Sequence, residues 1–450
     1  MQRPSSTNAV AQPICARSQT TDGSRSSSAL EVARGLLDRL FPEAPTGNVS
    51  FQLWDGSPWP DEKPRPATIV LKHPDSLSEM FASGTEIGLA ESYLRDDFDV
   101  AGDIETACEL GDTLADSKRG ARFRAGCTLL RLRLQDSARA LGRRLSTVAR
   151  ARATRHSLER DRWAIGFHYD VSNDFYRLWL DPRMLYSCAY FKSEGDGLGA
   201  AQSEKLAHIC RKLRMKGGQS LLDIGCGWGG LAVFAAKHFK AKVTGITLSK
   251  DQASFASQAV ADAEVSDDVK IHIRDYRELP DSEDYDVIVS VGMSEHVGAD
   301  NLPEYFRKAF RLLRPGGVFL NHAIGDGVRA RETRGRSFIQ DYVFPDSDIP
   351  RLPIVLAAAE SAGFEVRDVE NLREHYTHTL RHWVQRLEAK HEAALEFVKE
   401  PTYRVWRLYM AACARGFAQG RLAIYQTLLV KPHACGTSNL PLTRGDWYRQ

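Results

Sequence analysis

The residues whose types and spacing can do chemistry cluster first at Asp223-Ile224-Gly225-Cys226-Gly227-Trp228-Gly229-Gly230, where a short apolar run closes and a helical pattern opens. Glycines at such a junction let the backbone turn sharply and approach a ligand lying at a helix N-terminus. Nicotinamide and flavin enzymes use a similar loop, so the glycines alone do not name the ligand. The next apolar run discriminates. A dinucleotide site places an acid near its end to hold the ribose, whereas AKVTGITLSKDQ ends in Thr247 with Gln252 following, and an acid, Asp275, closes the third run in IRDY. The pattern favours S-adenosylmethionine over a nicotinamide cofactor.

These residues need a sheet to hold them. GQSLLDIG, AKVTGITL, VKIHIRD, YDVIVSVG and GGVFLNHAIG are short β-branched runs, each followed by a helical or loop segment. Such alternation predicts a doubly wound α/β domain with a largely parallel sheet, here from Trp163 to about 430. The stretch after Pro345 breaks the alternation with LPIVLAAAESAG, HTLRHWVQRLEAKHEAALEFV and TYRVWRLYMAACARGFAQG, helices that predict a lid or substrate wall. Upstream, residues 29–117 read as a small α+β unit, with a helix at ALEVARGLLDRLF, strands at NVSFQLWDG and ATIVLKH, and a turn at Asp55-Gly56. Residues 1–28 read as a disordered tail, and 431–450 as a C-terminal tail.

Composition bounds the rest. Of 450 residues 43% are apolar and 26% charged, and the formal charge is only +2, so no global excess argues for nucleic acid. That neutrality hides residues 118–162, where Lys118 and thirteen arginines face three acids, a local excess of eleven positive charges. Leu129, Leu130, Leu132, Leu134, Leu141, Leu145 and Val148 recur among them at helical spacing. A basic amphipathic linker of this kind suits an anionic membrane surface, and equally a solvated connector between domains. No run is apolar for long enough to span a bilayer and the N-terminus lacks a secretory apolar core. The expected location is cytoplasmic, with peripheral association at the inner face of the membrane. The eight cysteines show no C-x-x-C spacing, which predicts free thiols, no structural zinc and no other metal site.

HYDVSNDFYRLWLDPRMLYSCAYF at 168–191, LLDIGCGWGGLA, GITLSKDQ, VSVGMSEHVG and the final helix together resemble the cyclopropane-fatty-acyl-phospholipid synthases and the related mycolic acid methyltransferases. GLAESYLRDDFDVAGDIE at 88–105 resembles the N-terminal module of the longer bacterial members, which implies a sterol-carrier-like, lipid-binding-like domain. The resemblance implies a Rossmann-like S-adenosylmethionine-dependent methyltransferase domain. It further implies methyl transfer to a cis double bond of an unsaturated phospholipid acyl chain, with proton loss closing a cyclopropane ring. An alkene is a poor nucleophile, so the site must be dry and must tolerate positive charge, which the faces of Tyr186, Tyr190, Phe191 and Tyr376 could accept.

The resemblance implies a bound bicarbonate as base, cradled by Cys188, Glu295, His322, the backbone N–H of Ile324, and Tyr376. Cys413 matches a cysteine described as active in the family, although methyl transfer to an alkene needs no covalent nucleophile. Cofactor contacts carry over to Tyr186, Ser187, Gly225, Cys226, Gly227, Thr247, Gln252, Asp275, Tyr276 and Arg277. His296 and Cys210 read as local structural groups. Ser294 departs from the family, which more often carries an aromatic before the Glu of EHVG, and this would widen an acyl pocket. A methyl- or methylene-branched product, a small-molecule N-methyltransferase and a lipid carrier with an idle methyltransferase domain are the alternatives. The sequence leaves a homodimer open.

Overall fold

The five β-branched runs alternate their side chains between two covered faces, and that alternation sets the large domain's architecture. The structure, a computed structural model, describes residues 22–42, 47–81, 83–115, 171–282, 284–330, 337–344 and 348–448. The basic segment 118–162 and residues 1–21 of the expected tail lie outside them. Strands β5 (Ser220–Ile224), β6 (Lys242–Thr247), β7 (Val269–Ile273), β8 (Tyr285–Val291) and β9 (Leu313–Asp326) pair in parallel. In β5, Leu221 joins a core with the helices Leu198–Lys212, Gly230–Phe239 and Lys250–Asp262, while its neighbour Leu222 joins the opposite core with Leu302–Leu312 and Leu352–Ser361. Helices on both faces make the domain doubly wound, as the alternation predicts.

Two strands go beyond the sequence expectation. β10 (Glu365–Asn371) and β11 (Leu422–Val430) add antiparallel to β9, giving the order β10-β11-β9-β8-β5-β6-β7. β10 reads EVRDVEN, an edge strand with little apolar pattern, and β11 is an apolar run whose period does not separate strand from helix. Between them run the helices Arg373–Glu388 and Glu400–Ala418, which pack against each other.

By compactness the described residues form two units, 22–92, 96–102 and 114–115 in one and 93–95, 103–113 and 171–448 in the other. The smaller holds a mixed sheet in the order β2-β1-β3-β4, built from β1 (Val49–Gln52), β2 (Pro58–Trp59), β3 (Ala67–Leu71) and β4 (Phe98–Gly102). β3 buries Ala67, Ile69 and Leu71 in strict alternation. Its first helix starts at Asp22, earlier than the expected Ala29. Residues 103–113, which the sequence groups with this small domain, cluster with the large unit, where Asp112 pairs with Arg415 at 2.6 Å and with Arg421. The C-terminal segment is likewise engaged: Trp447 is 2% exposed and its carbonyl accepts from Arg211 Nε at 2.8 Å.

Candidate functional site

The C-terminal ends of β5, β6 and β7 open on one cavity, where the loops of a doubly wound sheet converge. All ten residues expected to contact the cofactor line it: Tyr186, Ser187, Gly225, Cys226, Gly227, Thr247, Gln252, Asp275, Tyr276 and Arg277. Gly227 has φ +54° and open space where a Cβ would stand, while Gly229, at φ +82°, would place a Cβ 2.9 Å from that of Ala256. The loop therefore hugs the Lys250–Asp262 helix on one side and leaves room for ligand on the other. Thr247 Oγ1 donates to Gln252 Oε1 at 2.8 Å, and Ser249 caps the following helix by accepting from the Gln252 N–H.

Asp275 caps the short helix Tyr276–Glu278, and its carboxylate accepts from Arg277 Nε at 2.8 Å and Nη2 at 2.7 Å. Tyr276 stands edge-on to Tyr305 with the Arg277 guanidinium 5.5 Å from its ring centre. A planar phenol lining the cavity at this strand end is suited to an aromatic base.

Asp223 and Trp228 of the glycine motif line the cavity too, and sequence reasoning missed other lining residues, among them Lys205, Arg274 and Met293. His296, expected to be a local structural group, lines the cavity. Trp228 Nε1 donates to Asn173 Oδ1 at 2.7 Å, tying the glycine loop to the NDFY segment. Lys205 had a usable signal: Gln202, Lys205, His208 and Lys212 recur at helical spacing and all are at most 1% exposed, a polar stripe on a buried helix face.

A second constellation forms from five separate places in the chain. β9 presents His322 and Ile324 on one face, two residues apart. Glu295 lies in a short helix after β8, and the Ile324 N–H donates to its Oε1 at 2.8 Å. That N–H, expected to meet an anion directly, is thus taken by Glu295, which the strand brings within reach. Gln426, opposite His322 in β11, donates from Nε2 to His322 Nδ1 at 3.3 Å, which puts the imidazole hydrogen on Nε2. Glu295 Oε2 and His322 Nε2 are buried with no hydrogen-bond partner. Buried polar atoms without a protein partner call for an ordered water, an ion or a catalytic role.

Burial pushes the Glu295 carboxyl up to about 7, against the pull of the Ile324 N–H. Burial, with the Lys205 and Lys212 charges, lowers His322 to about 3, so its imidazole is neutral. Tyr376 is buried, which raises its phenol well above the usual range, and Tyr409, Cys188, Cys413 and Glu295 all act on it electrostatically. Cys188, wholly buried, has its thiol pushed up and within reach of the Ala189 carbonyl at 3.2 Å and the Leu372 carbonyl at 3.8 Å, so it is a neutral thiol and no nucleophile. Cys413 sits mid-helix, buried, in the same neighbourhood as Tyr376.

Aromatic rings wall this region. Tyr186 packs 5.2 Å from Trp383 and 5.5 Å from Trp179, and its hydroxyl donates to that of Tyr409 at 3.2 Å. Tyr190 and Phe191 turn elsewhere: Tyr190 stacks on His375 at 4.7 Å and lies 4.2 Å from His208, and Phe191 stacks on His382 at 5.7 Å. Histidines of the helices Leu198–Lys212 and Arg373–Glu388 take up these two rings. Ser294 is buried. Among the described residues no group of three or more His, Cys, Asp or Glu could hold a metal ion, and Cys108, Cys188, Cys210, Cys226, Cys413 and Cys435 are free thiols.

Comparison with known proteins agrees with this geometry. The model of the mycolic acid cyclopropane synthetase family matches residues 156–427. A probable fatty acid methyltransferase of Pseudomonas putida is 41% identical over 409 residues, spanning 89% of this chain and 96% of that protein. The cyclopropane-fatty-acyl-phospholipid synthase of Escherichia coli is 34% identical over 365 residues, 81% of this chain and 87% of that one. Among solved structures, a mycolic acid cyclopropane synthase in complex with SAH and CTAB superposes with TM-score 0.56 at 34% identity, covering 60% of this chain and 97% of that one. With its cavity at the sheet's C-terminal edge and these matches, the chain belongs to the mycolic acid cyclopropane synthetase family and is an S-adenosylmethionine-dependent methyltransferase.

Proposed function

We propose that this protein transfers the methyl group of S-adenosylmethionine to a cis double bond of an unsaturated phospholipid acyl chain and forms a cyclopropane fatty acid. The observation that carries this reading is the dry pair Glu295 and His322, each with an orphaned atom, set beside an aromatic wall. The Tyr186–Cys188 segment joins the two regions, because Tyr186 and Ser187 line the cofactor cavity and Cys188 acts on Tyr376.

The cofactor supplies an electrophilic methyl on its sulfonium. Tyr186, Trp179 and Trp383 exclude water and offer ring faces to positive charge on the acyl chain. The residues present fit a bicarbonate ion: the His322 Nε2–H can donate to it, the Tyr376 hydroxyl can donate, and Glu295, near neutrality in its titration, can donate or accept. Held there, bicarbonate would supply the base for the departing proton. Glu295 then holds or passes on that proton at Oε2.

No helix among the described residues is long and apolar enough to cross a membrane. The acyl substrate and the basic segment 118–162 support a peripheral site of action at an anionic membrane surface, from the cytoplasmic side. A second reading keeps cofactor and substrate but ends in a methylene-branched chain, by loss of a different proton, or in a methyl-branched chain where a separate hydride donor then reduces it, and the name of the Pseudomonas putida relative, probable fatty acid methyltransferase, favours it.

Incubation with labelled S-adenosylmethionine and vesicles of a cis-monounsaturated phospholipid, followed by mass spectrometry, tests both. A CH₂ gain that resists hydrogenation establishes the ring. A hydrogenation-sensitive CH₂ gain, or two further hydrogens, establishes a branch. Absence of label in lipid refutes the lipid substrate.

A further inference from the structure

The segment 185–191 runs from the cofactor cavity, which Tyr186 and Ser187 line, past Cys188. Two helices hold its backbone. From Leu198–Lys212, Gln202 Nε2 donates to the Leu185 and Ser187 carbonyls at 3.3 and 2.9 Å, and the Ala201 carbonyl accepts from the Tyr190 N–H at 3.1 Å. From Arg373–Glu388, Thr379 Oγ1 accepts from the Ala189 N–H at 3.0 Å, and His375 Nδ1 accepts from the Phe191 N–H at 3.0 Å. A helix climbs about 6 Å in four residues, within the roughly 7 Å that two residues of chain can cover, so side chains one turn apart can meet alternate N–H groups.

Of these holders only His375 titrates, and its hydrogen bond requires a bare Nδ1. The Tyr190 ring stacks on it at 4.7 Å with 18° between the planes, so the imidazole is packed as well as bonded. Glu370 of β10, His208 of Leu198–Lys212, and Glu374 and His378 of its own helix act on the ring electrostatically. Glu370 is itself engaged by His208 at 2.9 Å and by Lys212. Burial, with His378 and His208, outweighs the two carboxylates and holds the imidazole below its usual 6.5, so the ring is neutral at physiological pH. Protonation would turn Nδ1 from acceptor to donor and set it against the N–H of Phe191, a residue only 7% exposed.

We propose that His375 is a positioning residue for this methyltransferase: its neutral ring pins the 185–191 segment in the geometry that sets Tyr186 and Ser187 in the cofactor cavity, and its protonation releases the segment. The inference rests on the cofactor placement argued above and adds to it an acid-sensitive hold that touches no reacting atom. Asparagine can keep the acceptor without the titration, because its Oδ1 stands where Nδ1 does, one bond from Cγ. Leucine leaves the Phe191 N–H without that acceptor at every pH.

The test is calorimetric binding of S-adenosylhomocysteine to the full-length wild type, His375→Asn and His375→Leu between about pH 8 and about pH 5. Apparent affinity scales with the fraction of protein whose segment is pinned. The wild type should lose about fivefold toward the acid end and His375→Asn no more than about twofold, while His375→Leu should be weakened about fivefold at every pH. An acid loss in His375→Asn that parallels the wild type, a wild type with no acid loss, or a His375→Leu that binds like the wild type at the alkaline end, would overturn the proposal. The comparison of wild type with His375→Asn stands even where His375→Leu does not fold. Turnover on vesicles of a cis-monounsaturated phospholipid should recover in His375→Asn relative to His375→Leu. Absence of label in lipid beside the expected binding profile would strike the acyl substrate and leave His375 in its role. Failure of the wild type to bind S-adenosylhomocysteine at any pH would overturn the cofactor placement and this inference with it.

Discussion

The cofactor cavity and the Glu295–His322 region are built in opposite ways. The cavity draws most of its residues from three loops at the ends of adjacent strands, and its groups are largely partnered: Thr247 with Gln252, and Asp275 with Arg277. The Glu295–His322 region collects single residues from the 186–191 segment, the turn after β8, the strand β9 and two helices, and it leaves Glu295 Oε2 and His322 Nε2 orphaned. One is a polar surface shaped for recognition. The other is a dry enclosure in which protonation is balanced by burial, the arrangement that acid–base chemistry needs.

If the two regions divide binding from chemistry, they can be separated by substitution. Glu295→Gln should lower turnover by on the order of 10³-fold, about 4 kcal/mol of barrier, while leaving affinity for S-adenosylhomocysteine within about twofold. Single-turnover assays beside calorimetry check it, and a parallel loss of affinity would erase the division.

The same carboxyl predicts a pH signature. Its pKa rises from 4.5 in the unfolded chain to about 7 in the folded one, so its stabilising contribution is complete below 4.5 and is lost as pH climbs to about 7. Relative to the wild type, Glu295→Gln should gain roughly 3 kcal/mol of stability between pH 4.5 and 7 and nothing further above that. His322 runs the other way, since its lowered pKa makes the contribution present above 6.5 and lost as pH falls toward 3. Urea denaturation of the ligand-free protein at several pH values measures both, and a flat difference between variant and wild type would place Glu295 in contact with water.

On the recognition side, Gln252→Ala removes the partner of Thr247 and should weaken S-adenosylhomocysteine about tenfold, with turnover at saturating cofactor changed by no more than about threefold. A much larger drop in saturated turnover would mean that the cavity also steers the chemistry. The smallest effect belongs to Cys413→Ala, a packed helix thiol whose loss should slow turnover by about threefold at most. A hundredfold loss would restore a covalent role for it.

The cofactor loop was legible from DIGCGWGG and IRDY because contiguous residues carry both the turn and the contacts. Lys205 was not, although its stripe with Gln202, His208 and Lys212 has helical spacing, because spacing alone does not say whether a polar face meets water or the sheet. β10 and β11 escaped for a related reason: an edge strand and a doubly covered strand both lack the alternation that marks a half-buried one. Tyr190 and Phe191 look equivalent to Tyr186 in the sequence, yet the fold turns them onto His208, His375 and His382.

By itself the sequence determined the alternating fold, the strand ends and the glycine turn, since these follow from local periodicity and backbone freedom. Only the tertiary structure decided which side chains lose water. His322 acquires its Gln426 partner because β11 lies antiparallel to β9, and Glu295 its raised pKa because the β9 backbone and neighbouring helices enclose it. Desolvation depends on everything packed around a group, and those neighbours come from distant segments, Ile324 lying 29 residues from Glu295 and Gln426 104 residues from His322.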